Sequence, residues 1–393
     1  MGMLKFKATQ LFDGHRLWED KVLITQADGT IESIVDASEA GESVRKLEGI
    51  LMPGLINCHC HLELSHLKDM IPPHTGLIEF LCTVVTKRNF PRELILEKIA
   101  LAEQEMYENG IVAVGDIGNT ADTASAKASS GIFWHNFVEV LSLSDDKAAD
   151  TLAHYQTQLD HLSRTLAATS RPHRSSLVPH APYSISPETF RRLNEATRDQ
   201  VISLHNQEHP AENELYETGG GAFLKFFNLF GITRSPFPVT GMSSLRSVLP
   251  YFDKGQTILL VHNTCTTREE IEWALDYAKH KGIRLHYCLC INANLYIENK
   301  VPPAEWLHQL GAPVVLGTDS YSSNWQLSVA SEIKSLHHHF PAIPIDTLLH
   351  WATEQGARAL HWDDRLGSFE KGKKPGLVCL NLKEGSSRRV ELH

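Results

Sequence analysis

His59 and His61 stand two residues apart in the run Pro53-Gly54-Leu55-Ile56-Asn57-Cys58-His59-Cys60-His61. If that run is a strand, its two-residue period puts both imidazoles on one face and Cys58 and Cys60 on the other. Two neutral ring nitrogens then converge, an arrangement that suits a divalent metal ion or, in an isolated case, two hydrogen-bonded interior histidines. Two further segments favour the metal. Val201 to His205 is strand-like and ends on His, and Val314 to Asp319 is strand-like and ends on Asp. Alone, Asp319 reads as a helix N-cap and His205 as an interior histidine. Together with the His pair they are expected to form one rim of ligands: His59, His61, His205 and Asp319. Imidazole and carboxylate suit Zn²⁺, with Fe²⁺ the alternative.

A divalent ion there would acidify a water and polarise an electrophile, so proton-transfer groups should stand nearby. Asp319 could accept the water's proton, Glu208, three residues beyond His205, could supply one, and His262 could orient the attacking oxygen. Taken singly, Glu208 is an exposed loop carboxylate and His262 a strand-end cap; the shared rim assigns them to catalysis.

Eight short apolar, β-rich segments are expected to position these residues: Leu55 to His61, Ile111 to Gly118, Ile132 to Val140, Ser176 to His180, Val201 to His205, Thr257 to His262, Ile283 to Cys288 and Pro313 to Thr318. Helical signals fall between them at Pro91 to Gly110, Thr267 to Gly282 and Pro302 to Gly311, each opening near Pro or Thr and closing on Gly. This alternation predicts an α/β protein, a (β/α)8 TIM barrel, in which sites form at the carboxyl ends of the strands. Leu4 to Leu51, with turns at Asp28-Gly29 and Glu48-Gly49, and Gly376 to Leu382 read as short strands instead. They are expected to pair into a small composite β-sandwich, giving domains at 1–53 and 365–393 around a barrel at 54–364. Pro210 to Lys254, with Gly219-Gly220-Gly221, reads as a long irregular loop over the site.

The chain has 393 residues, 42% of them hydrophobic and 21% charged, which suits a globular protein with room for a deep site. With 37 Lys+Arg against 47 Asp+Glu, the net charge of -10 argues against nucleic acid as a partner. No apolar run approaches the roughly 20 residues of a membrane span, and Met1 to Lys7 lacks the regions of a secretory signal. A cytoplasmic enzyme acting on a small molecule, with no nucleic-acid or membrane partner and with homo-oligomerisation open, is expected. The seven cysteines suggest buried reduced thiols. Cys58, Cys60, Cys288 and Cys290 are spaced too closely within each pair for the usual structural zinc knuckle.

The run PGLINCHCHLELSHL, with HAPYS at His180 to Ser184, HNQE at His205 to Glu208, VHNT at Val261 to Thr264 and GTDS at Gly317 to Ser320, resembles the amidohydrolase superfamily, in particular its branch of adenosine-type deaminases and triazine chlorohydrolases. The resemblance spans about the whole chain. It implies the barrel with a composite β-sandwich and the same roles for Glu208, His262 and Asp319, with Glu208 protonating a ring nitrogen and then the leaving amine. It also implies hydrolytic deamination of an aminated heterocycle. Binuclear members bridge two metals through a carboxylated Lys on strand four; Ser175 to Ser184 holds no Lys and carries His180, which favours one metal. Two segments depart from the family pattern: Cys290 to Asn294 stands where Cys-Pro-x-Ser-Asn is common, and Lys373 to Leu377 where Lys-x-Ala-Asp-Leu is common.

Candidate substrate contacts after the same strands are His180, Glu79, Arg88, Glu139, Tyr183, Asn294, Ser320 and Trp325. The HLELSHL run resembles members that deaminate adenine-nucleoside compounds, including aminodeoxyfutalosine; S-adenosylhomocysteine, methylthioadenosine, guanine-like bases and chloro-triazines remain alternatives. His205-Asn206-Gln207-Glu208-His209 also matches the HxxEH pattern of inverted zinc peptidases, but that pattern needs a helix, which Pro210 and the strand-like Val201 to Leu204 oppose. A non-catalytic barrel would lack a ligand or proton-transfer residue, and none of the six is missing.

Overall fold

The computed structural model describes residues 2–169 and 172–392. The chain opens with seven short strands: β1 (Met3–Lys7), β2 (Gln10–Phe12), β3 (Leu17–Trp18), β4 (Lys21–Gln26), β5 (Ile31–Asp36), β6 (Val44–Lys46) and β7 (Ile50–Pro53). At the predicted Asp28-Gly29 turn the Gln26 amide bonds the Thr30 carbonyl and Gly29 takes a φ of 89°, a left-handed conformation that glycine adopts without a Cβ clash.

Eight strands follow: β8 (Leu55–Cys60), β9 (Ile111–Gly118), β10 (Phe133–Val140), β11 (His173–Pro179), β12 (Val201–Asn206), β13 (Thr257–His262), β14 (Arg284–Leu289) and β15 (Val314–Leu316). All eight predicted segments are strands, and β9 and β13 have the predicted bounds. Their residues are almost wholly buried, as expected where a parallel sheet is covered on both faces. The strands form two parallel four-stranded sheets, ordered β11-β10-β9-β8 and β12-β13-β14-β15. Between the two sheets, the His59 carbonyl accepts from Thr318 N at 2.9 Å and Asp319 N at 3.1 Å, and the His180 carbonyl accepts from His205 N at 2.9 Å. The main hydrophobic core lies within and around these strands.

The chain ends with β16 (Leu377–Asn381) and β17 (Ser386–Arg389). β16 pairs antiparallel with β7, Leu377 opposite Pro53, so the two ends of the chain share a five-stranded sheet, β17-β16-β7-β2-β3; a second sheet runs β5-β4-β1-β6. Phe6, Leu11, Leu23, Leu51, Phe369 and Leu377 pack in one apolar cluster there.

The stretch Pro210 to Lys254 differs from expectation. It folds into helices at Pro210–Thr218, Phe223–Asn228 and Ser244–Val248. His209 caps the first, its ring accepting from Ala211 N at 3.0 Å, and Gly219 ends it with a φ of 76°. Leu215, Phe223, Phe226 and Phe227 enter an apolar cluster with Leu77, Phe80 and Tyr183, and this burial orders the stretch. The glycines that read as loop are the punctuation between helices. Among the described residues no helix is long and apolar enough to cross a membrane.

Candidate active site

All the predicted ligands come together at the carboxyl edge of the strands. His59 lies within β8 and is fully buried; His61 follows it, His205 is in β12, and Asp319 follows β15. Gly317 allows β15 to approach β8 closely: a Cβ there would stand 2.8 Å from His59 Cβ and 2.9 Å from Cys290 Sγ. Asn57 ties the same seam, donating to Thr318 Oγ1 at 2.8 Å and accepting from Thr318 N at 3.1 Å. Asp319 and His262 hold φ angles of 57° and 72°, which non-glycine residues rarely adopt, and such strain is characteristic of functional sites.

The nitrogens and oxygens converge. Asp319 Oδ1 lies 3.6 Å from His59 Nε2 and 3.5 Å from His61 Nε2. The Nε2 atoms of His61 and His205 are 3.3 Å apart, an approach two nitrogen lone pairs tolerate only with a proton or cation between them. Both ring nitrogens of His59 are buried without a hydrogen-bond partner, which is costly unless they meet a ligand. The His205 Nδ1–H donates to the His180 carbonyl at 2.8 Å, presenting Nε2 as the free lone pair, as metal-binding imidazoles are commonly held. The donor set therefore fits a divalent cation. No cysteine joins any cluster able to hold a metal among the described residues, and Cys58 Sγ turns to the Gly356 carbonyl.

Burial and charge separate the titratable groups. Burial pushes the histidines His59, His61 and His262 well below the usual imidazole range, with neighbouring imidazoles adding to the shift. For Asp319 burial acts upward, but His61, His262 and the Ser323 hydroxyl, which donates at 2.6 Å, outweigh it and hold the carboxyl below its ordinary value. Burial, then the charge of Asp319, pushes Glu208 well above the carboxylate range. Its Oε1 stands 3.7 Å from His262 Nε2. Behind His262, the Asn294 amide donates to Nδ1 at 3.1 Å, which leaves the ring proton on Nε2.

Of the predicted substrate contacts, His180, Tyr183, Arg88, Glu139 and Ser320 line the cavity beside the histidines. The other three do not line it: Glu79 is exposed and paired with Lys225, Trp325 is exposed and packs on Tyr296, and Asn294 sits behind His262. His205 lies on a strand while His209 caps a helix, so the two do not share the helix face an HxxEH peptidase requires.

Sequence reasoning missed Glu63 and Asn119. Glu63 is buried and accepts from Arg88 Nη2 at 2.8 Å and from the backbone of Asn119 and Thr120 at 3.0 and 3.1 Å; Asn119 in turn donates to Glu139 Oε2 at 3.2 Å. Burial, the largest influence, pushes Glu139 up to about 8. It also missed an apolar wall, Leu77, Phe80, Leu81, Val84 and Val85, whose helical spacing in Leu77–Lys87 was the available signal.

The amidohydrolase family model matches residues 50–391. An aminodeoxyfutalosine deaminase from Nitratiruptor sp. is 26% identical over 377 residues, covering 94% of this chain and 88% of that protein. The fold is similar to that of Helicobacter pylori aminofutalosine deaminase in complex with methylthio-coformycin (TM-score 0.77, 23% identity, 95% of this chain and 91% of that one). It is also similar to an adenosine deaminase from Xanthomonas campestris with bound zinc (TM-score 0.73, 23% identity, 96% and 84%). With its family model spanning most of the sequence and four ligand-type residues converging on one strand edge, the chain belongs to the amidohydrolase family.

Proposed function

We propose that the protein is a metal-dependent deaminase that replaces the exocyclic amine of an adenine-nucleoside-type compound with oxygen from water and releases ammonia. The observation that carries this is geometric: His59, His61, His205 and Asp319 converge on one point, and Glu208 and His262 stand beside them with Oε1 and Nε2 3.7 Å apart. Burial shifts Glu208 upward, toward its acid form, while Asp319 is held down. The names of the relatives, deaminases of aminodeoxyfutalosine and adenosine, support the substrate class.

His59, His61, His205 and Asp319 would hold the cation, read as Zn²⁺ on the donor set and on the zinc of the Xanthomonas structure. When bound, the ion supplies an acidified water and polarisation of the electrophile. Asp319 accepts the proton of the attacking water at its carboxylate. His262 donates a hydrogen bond from Nε2 to the incoming oxygen. Glu208 gives its proton to the ring nitrogen next to the carbon under attack. As the C–N bond breaks, the amine takes up the proton Asp319 received and leaves as ammonia, while the hydroxyl proton of the added oxygen passes to Glu208, which restores the acid and leaves the ring oxygen as a carbonyl. The ring sits against Leu77, Phe80 and Val84, which exclude water, while Arg88, Glu139, His180, Tyr183 and Ser320, which line the same cavity, face its polar groups. Asn294 acts through His262.

The same reading takes the two parallel sheets as halves of one closed (β/α)8 barrel at 54–364 and the terminal sheets as a composite β-sandwich of 1–53 and 365–393. The hydrogen bonds between the two sheets and the β7–β16 pairing support it. Metal-loaded protein assayed for ammonia against adenine nucleosides, guanine-type bases and amino-triazines tests the proposal. Release from the adenine nucleosides is expected, with 5′-substituted forms included; release only from triazines or guanine-type bases would move the substrate class.

A further inference from the structure

A second group of metal-capable side chains lies far from this site in sequence. Asp13 Oδ1 accepts from the amides of His15 and Arg16 at 2.8 and 2.9 Å, which fixes the tight turn joining β2 to β3. Gly14 in that turn packs so closely that a Cβ would stand 2.7 Å from the Gly367 carbonyl, and Phe369 N bonds the Asp13 carbonyl at 2.7 Å. The turn is thereby pressed onto the helix Ile345–Trp351 and the start of Glu354–Ala359, with His15 beside His350, their ring centroids 6.1 Å apart.

His350 Nδ1 donates to the Gly14 carbonyl at 2.9 Å, so the lone pair on Nε2 is presented, 3.4 Å from Glu354 Oε2. That oxygen is buried and has no hydrogen-bond partner, while Oε1 of the same carboxylate is taken by Arg358. Ligand atoms from His15, His350 and Glu354 all fall within 4.8 Å of one another. The Glu370 carboxylate lies 3.6 Å from His15 Nε2. Two imidazoles and a carboxylate, one imidazole oriented by a backbone carbonyl and the carboxylate offering an orphaned buried oxygen, form a Zn²⁺-type donor set open to water on the His15 side.

We propose that His15, His350 and Glu354 bind a second Zn²⁺-class ion, which clamps the β2–β3 turn to the helices that follow β15. This site is independent of the deaminase reading and takes no part in catalysis. It also ties together residues some 335 positions apart, so an ion there should stabilise the folded chain by linkage.

The test uses protein already loaded at the histidines of β8 and β12, dialysed against buffered Zn²⁺ and measured by elemental analysis and thermal unfolding. His15→Asn changes an exposed turn residue and is expected to fold. Wild type should retain one more zinc per chain than His15→Asn or His350→Asn, and excess Zn²⁺ should raise its Tm while leaving that of His15→Asn nearly unmoved. Catalytic turnover should be the same in both. A double His59→Asn, His61→Asn variant should still hold the outer ion, which separates failure here from failure at the catalytic site. Equal zinc content and equal Tm response in wild type and His15→Asn would overturn the proposal, whatever His350→Asn does.

Discussion

His205 donates its Nδ1 hydrogen to the carbonyl of His180 at 2.8 Å, and the nitrogen opposite, Nε2, therefore faces His61 Nε2 at 3.3 Å as a lone pair. The backbone that follows β11 thus fixes the tautomer of a side chain on β12. With His59 orphaned at both nitrogens and Asp319 Oδ1 within 3.6 Å of two imidazoles, the four groups offer a divalent cation a complete donor set. We expect one ion per chain at this place. A double His59→Asn, His61→Asn variant should lose that ion and all turnover yet keep its circular dichroism; full retention of metal in that variant, counted by elemental analysis, would refute the assignment.

Burial, and then the charge of Asp319, push the Glu208 carboxyl well above the usual carboxylate range, toward the form that can give a proton. Glu208→Gln preserves shape and hydrogen bonding but cannot deliver a proton. Turnover should drop by about 10²- to 10⁴-fold with metal content unchanged, the usual scale for a positioned acid. His262→Asn should also retain metal and lose turnover. Steady-state rates of metal-replete variants decide it, and an undiminished rate in Glu208→Gln removes Glu208 as the acid.

Gly317 is where β15 presses on β8. Adding one methyl group there forces it against His59 Cβ and the sulfurs of Cys288 and Cys290. Gly317→Ala should cost about 1–3 kcal/mol of stability, as overpacking commonly does, and should loosen metal retention because His59 is the neighbour displaced. Denaturant midpoints together with metal off-rates give the measurement; a variant equal to wild type in both would show that the seam has slack.

Stability should fall on acidification. His135 and His286 are buried near the opposite ends of β10 and β14 from the site, and burial pushes them down to about 3 and about 4. Their folded values lie below the unfolded value near 6.5, so between those limits the unfolded chain binds more protons than the folded one. The stabilisation is complete above about pH 6.5 and is lost as pH falls toward 4, at up to about 1.4 kcal/mol per pH unit for each histidine. His286→Gln should remove one histidine's share of that slope. Urea titrations across this range test it, with an unchanged slope in the variant as the adverse result.

The site was legible in the sequence to the extent that it depends on strand ends. A two-residue period, a terminal His or Asp and a following turn place His59, His61, His205, His262 and Asp319 on one edge whatever the helices do. What escaped depends on contacts between segments distant in sequence. Glu63 carries no local signal of its role: its partners come from Arg88, Asn119 and Thr120, 25 or more positions away. Asn294, on the helix Ile291–Glu298, reaches His262 at the end of β13 rather than the cavity, a relation no local pattern contains. The segment Pro210 to Lys254 was misjudged because its glycines outweighed the apolar spacing of Phe223, Phe226 and Phe227, whose burial partners lie on the helix at Leu77–Lys87.

The central claim is hydrolytic deamination by the metal-loaded protein, and the most direct measurement is turnover of a 5′-substituted deoxyadenosine in ¹⁸O-labelled water. The account predicts ammonia and a ring-carbonyl product in equal amounts, the label in the product, and loss of both on chelation with recovery when Zn²⁺ is restored. Metal-replete protein that releases no ammonia from aminated heterocycles but cleaves amides or esters would contradict it.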